Sequence, residues 1–102
     1  MNLTISVDDI DKSRILRERS LHNIHQQHEY YIGSRSCPIA QALKREFPGM
    51  SAAANYEEAR IYNGVHTVKT FRISATVHEH MMNWDNNWVF PAGVTLVLPE
   101  VG

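Results

Sequence analysis

Asn63-Gly64 stands between two runs rich in β-branched and aromatic residues, 57–62 and 65–73, and this arrangement demands an antiparallel hairpin. A type I′ turn needs positive φ at both central positions, which Asn and Gly tolerate, so Val65 is expected to open the return strand. In that strand Val65, Thr67 and Lys69 share one face and His66, Val68 and Thr70 the other. Val68, with 59–61 on the opposite strand, marks the side expected to meet the core. A further strand is expected over 51–56. At the two ends of the chain, Leu3, Ile5 and Val7 alternate with polar residues, and Val94, Leu96 and Leu98 alternate with Thr95 and Val97. The pattern predicts one antiparallel sheet that includes 3–7, the hairpin and 94–98.

Helix signals interrupt these strands. Cys37-Pro38-Ile39-Ala40 reads as a helix start, because Pro38 suits the first helical position, where its missing N–H is not needed. Ser36 or Cys37 falls at the cap, Ile39, Ala42, Leu43 and Phe47 recur at helical spacing, and Pro48-Gly49 stops the run, which gives a helix over 38–47. Thr76-Val77-His78-Glu79 matches a capping box, with Ser74 as an alternative cap. Val77, Trp84 and either Met81 or His80 form the apolar stripe of a helix over 75–84, and Asn86-Asn87 reads as a turn beyond it. Asp8-Asp9-Ile10-Asp11 reads as a short acidic helical turn. The stretch 12–36 reads either as a helix across the sheet or as a long functional loop; Leu21, Ile24, His28 and Tyr31 favour a helix over 20–31. The expected fold is a single α+β domain over 1–102, a small antiparallel sheet with two or three helices packed on one face, with 12–36 as a variable insertion.

Composition narrows the classes of function. Hydrophobic content of 43% and charged content of 21% are those of an ordinary globular domain. A formal charge of −1, from 10 basic and 11 acidic residues, argues against a protein held mainly by nucleic-acid phosphates. The single cysteine forms no internal disulfide, and no apolar run approaches the roughly 20 residues of a membrane span. The first residues lack the basic and apolar stretches of a signal peptide, so a cytoplasmic location is expected.

With its elements in this order, the chain resembles a family of small tailed-phage and prophage proteins. The likeness rests on the opening strand and acidic turn Asp8-Asp9-Ile10-Asp11, the Cys-Pro-Ile-Ala helix of Cys37 to Leu43, the helix ending in Trp84-Asp85, and the final strand behind Phe90-Pro91. It covers about three-quarters of the chain; the region 12–36 is longer here than in compact relatives. The family has no assigned activity, so the resemblance implies a phage origin and a fold but no catalytic residues. It also implies the role common to small phage proteins of this kind, an effector binding host or defence components.

Candidate chemistry is sparse. Cys37 at a helix start is a possible low-pKa nucleophile, but no partner is legible and a cap or core role explains it better. His22, His25 and His28 recur every three residues, about 60° apart on a helix, so three of them converge poorly on one ion. A tetrahedral site would need Cys37, His66, Glu29 or another subunit, and His78-Glu79-His80 lacks the metalloprotease spacing; no metal and no cofactor is expected. No Gly-x-Ser-x-Gly elbow, P-loop or dinucleotide fingerprint occurs, and no enzymatic activity is expected. What remains is a basic run, Lys12, Arg14, Arg17 and Arg19, followed by Tyr30-Tyr31. Arg and Tyr dominate many interfaces, so Arg14, Arg17, Arg19, Tyr30 and Tyr31 are the expected partner-binding residues of a non-enzymatic inhibitor or modulator of a host or anti-phage defence protein. The alternative is a nucleic-acid or nucleotide-binding module, in which those cations meet phosphates and Tyr30, Tyr31 or Trp88 stack on bases.

Overall fold

The computed structural model describes residues 1–22 and 35–102 of the 102-residue chain, with the side chains of 20–22 left out of the description. The order is β1 (Asn2–Thr4), α1 (Val7–His22), α2 (Pro38–Glu46), β2 (Ser51–Ala54), β3 (Glu58–Asn63), β4 (His66–Arg72), α3 (Ala75–Asn87) and β5 (Thr95–Val97). The class is α+β, with all strand pairing antiparallel.

The strands expected in one sheet divide into two, β1-β5 and β2-β3-β4. Pro99 explains the division. β5 pairs with β1 as far as Leu98, which exchanges hydrogen bonds with Met1. Pro99 has no N–H to continue that ladder, and its carbonyl instead accepts from Arg72 N at 2.8 Å. Val101 N then donates to Thr70 O, so the chain end leaves one sheet to border the other.

The hairpin forms one residue further on than expected. Asn63 pairs with His66, which leaves Gly64 and Val65 as the two loop residues. Gly64 has φ +63° and no non-Gly residue here shares that sign. Glycine alone at the first central position is the type II′ pattern rather than I′. Between Ile61 and Tyr62 the register then shifts, since Ile61 faces Lys69 and Tyr62 faces Thr67. Val68 is the extra residue of this bulge and lies 46% exposed, not on the core side. The inward residues are Ala59, Ile61 and Phe71. The expected strand over 51–56 ends at Ala54, because Asn55 folds back: its Oδ1 accepts from the N–H groups of Glu57 and Glu58.

α2 is the centre of the core. Its residues Ile39, Ala40, Ala42 and Leu43 are wholly buried, and it packs on α1, β1, β2 and β3. Leu3, Ile5, Ile61, Phe71, Val77, Met81, Trp84, Leu96 and Leu98 complete the cluster. The stripe of α3 is therefore Val77, Met81 and Trp84, not the version with His80.

The acidic stretch at 8–11 is not a short turn but the start of the 16-residue α1. Ser6 Oγ accepts from Asp9 N while Asp9 Oδ2 accepts from Ser6 N, a reciprocal cap with Asp in the place usually held by Glu. Lys12 to His22 thus continue one helix. Of the helix expected over 20–31, residues 20–22 belong to α1 and the rest lie outside the described residues.

Candidate functional site: the two faces of α1

α1 carries its cations to two different neighbours. On one side, Arg17 reaches the carboxyl end of α3. Its Nη1 donates to Trp84 O and its Nη2 to Asp85 O at 2.6 Å, while the guanidinium lies 4.2 Å from the Trp88 ring centroid and 5.6 Å from that of Trp84. Arg14 adds a longer bond to Trp88 O at 3.4 Å and an exposed ion pair with Asp11. The carbonyl end of a helix carries partial negative charge, so a guanidinium fork is well matched to it.

This contact explains why α3 outruns its expected end. Asn86-Asn87 is helical rather than a turn, and the helix closes only at Trp88, in the left-handed region at φ 59° with its N–H bonded to Trp84 O. That conformation is unfavourable for a bulky residue. Stacking of Trp88 against Arg17 and the Asn83–Asn87 side-chain bond offset it. At the other end Ser74, not Thr76, is the cap, and its Oγ accepts from Val77 N.

Tyr56 closes the same cluster from the turn after β2. Its hydroxyl donates to the Asp85 carboxylate, and its ring stacks on His78 with centroids 4.7 Å apart. The Asp85 hydrogen bond is the main reason that the phenol pKa is pushed up to about 12. Cys37 is 5% exposed at the start of α2, and burial above all pushes its thiol up to about 11, the opposite of an activated thiolate.

On its other side α1 presents Lys12, Ile15, Leu16 and Arg19 towards Gln41, Lys44 and Arg45 of α2. These residues line an open groove of about 510 Å³, with four cations and, among the described residues, no carboxylate in its lining. Among the described residues, Arg45 alone of the four is engaged. It donates to both carboxylate oxygens of the buried Asp9, to Thr4 O and to Glu46. Burial opposes ionisation of Asp9, but the Arg45 hydrogen bond and the Ser6 donors outweigh it, so its carboxyl stays below the usual range. Lys12, Arg19 and Lys44 have no ion pair or hydrogen bond among the described residues. Ile15 between them is 50% exposed.

Of the five residues expected at a partner interface, Arg19 lines this groove, Arg14 and Arg17 face α3, and Tyr30 and Tyr31 lie outside the described residues. Lys44 and Arg45 are groove cations that sequence reasoning missed, and Lys44 is the one of the two without a partner among the described residues. Its position three residues after Gln41 on a helix otherwise read as core was the only signal. Among the described residues no three His, Cys, Asp or Glu side chains group to hold a metal ion, and no helix is long and apolar enough to cross a membrane. His22 is the last residue of α1, and His25 and His28 lie outside the described residues. Comparison with protein-family models, with curated proteins and with solved structures returns no match to this chain.

Proposed function

We propose that the protein is a phage-encoded effector that binds a host or anti-phage defence protein in the host cytoplasm, without catalysing a reaction, and that the α1–α2 groove is its contact surface. The observation that carries this reading is the set of three cations, Lys12, Arg19 and Lys44, that have no ion pair among the described residues and gather around the half-exposed Ile15. Like charges brought together without carboxylates lower stability, and no contact among the described residues employs these three. A local rule broken without a gain inside the fold is the mark of a site kept for a partner. The phage origin is supported by the resemblance carried by Cys37 to Leu43 and by Trp84-Asp85.

The test compares wild type with K12E/R19E/K44E as bait in lysate of infected or defence-bearing host, after nuclease treatment. Wild type is expected to retain a protein that the variant loses. Capture that disappears with nuclease, and falls steeply with added salt, would favour the nucleic-acid reading. Equal capture by both baits, or turnover of a small molecule by the purified protein, would overturn the proposal.

A further inference from the structure

We infer that the occupant of the α1–α2 groove is an acidic amphipathic helix of the partner, a deepening that rests on the groove being the contact surface. Lys12, Ile15, Leu16 and Arg19 follow the i, i+3, i+4, i+7 spacing, so they form one stripe about 10 Å long on α1. Gln41, Lys44 and Arg45 follow i, i+3, i+4 on α2 and form the opposing wall. The aliphatic pair Ile15 and Leu16 lies at the middle of the α1 stripe, with Lys12 and Arg19 at its two ends. A ligand complementary to that order carries apolar residues at its centre and carboxylates on either side.

The walls also select the backbone of the ligand. Both are helices, whose main-chain groups along the groove are already bonded within the helix, and the Gln41 amide donates to Arg35 O. An extended peptide would find no main-chain partners there, whereas a helix brings its own hydrogen bonds and packs ridge into groove. A phosphodiester chain would answer the cations but set charge against Ile15 and Leu16, which is unfavourable. Arg45, held by Asp9 and Thr4, supplies a fixed wall rather than a free charge.

Fluorescence anisotropy with three labelled peptides of about four helical turns (~14 residues) tests this. One has a Leu stripe flanked by Glu, one the same composition scrambled, and one Gln in place of every Glu; an oligothymidylate of similar length is the fourth probe. The first peptide is expected to bind at least about tenfold more tightly than the other probes, and K12Q/R19Q/K44Q to remove that preference. I15S is expected to weaken it without altering the circular dichroism of the protein. Equal binding of the scrambled peptide, or tighter binding of the oligothymidylate, would overturn the inference. Lysate capture that depends on the groove cations, with no preference among the peptides, would overturn this occupant and leave the binding reading standing. Capture indifferent to the cations would overturn that reading whatever the peptides do.

Discussion

The two faces of α1 carry similar residues and serve opposite ends. Towards α3, Arg17 is fully employed, bonded to two helix-terminal carbonyls and stacked on Trp88. Towards α2, Lys12 and Arg19 join Lys44 with no partner among the described residues. The difference lies in what the neighbouring element offers. α3 ends against α1 and presents its terminal carbonyls, whereas α2 runs past α1 and presents more cations. A basic run is therefore not one feature. Its members divide by helical angle into those that hold the fold together and those that remain for something else.

The largest expected effect lies on the employed face. Arg17→Ala removes two charge-assisted bonds and a stacked cation, and chemical unfolding should show a loss of about 2 kcal/mol. Trp fluorescence should change in the native baseline as Trp88 loses its neighbour. A change within experimental error would mean that the α3 end holds itself.

Asp9→Ala comes next. It removes the reciprocal cap and the anchor of Arg45, and is expected to reduce stability by about 1–2 kcal/mol. Because the folded-state pKa of Asp9 is lowered, its contribution is present above the ordinary carboxylate pKa and disappears as pH falls through the folded value. Wild type should thus lose more stability on acidification below about pH 4 than the variant does. It would sharpen the comparison further if freeing Arg45 raised the affinity of the groove for the Glu-flanked peptide.

Tyr56→Phe should reduce stability by about 1 kcal/mol, the value of one hydrogen bond to a charged group at a partly exposed site. The sign of the pH dependence is opposite to that of Asp9. The folded pKa is raised to about 12, so the contribution is intact below the ordinary phenol pKa and is lost as pH rises through about 12. Ultraviolet titration of the native protein should show a late-ionising component that Tyr56→Phe removes.

Much of this architecture was legible because local chemistry and fold agree. Pro38 at the helix start, the Val77 and Trp84 stripe, and the alternation around Leu3 and Leu96 all specify elements that the structure contains. The errors arose where a distant contact decides. Asn86-Asn87 looks like a turn until Arg17 reaches the carbonyls behind it. Val68 reads as core until the bulge turns it outward, and Asn63-Gly64 is displaced by one residue because Asn63 pairs with His66. The separation of the β1-β5 ladder from the three-stranded sheet depends on where Pro99 falls, a position with a clear physical meaning that periodicity does not weigh. For the groove, Lys12 and Arg19 stood out only as members of a basic run; their place on one stripe with Ile15 and Leu16 was not legible while 12–36 read as either helix or loop. The opposing Lys44 could be assigned only once α2 was placed against α1.

The smallest expected change in stability is also the most direct check that the groove cations serve nothing within the fold. Urea unfolding of K12Q/R19Q/K44Q beside wild type measures it. Exposed substitutions away from structural contacts usually change stability by less than about 0.5 kcal/mol, and relief of like-charge crowding should place the variant level with wild type or slightly above it. A loss of about 2 kcal/mol, equal to that from Arg17→Ala, would contradict the account, since the two faces of α1 would then be doing the same work.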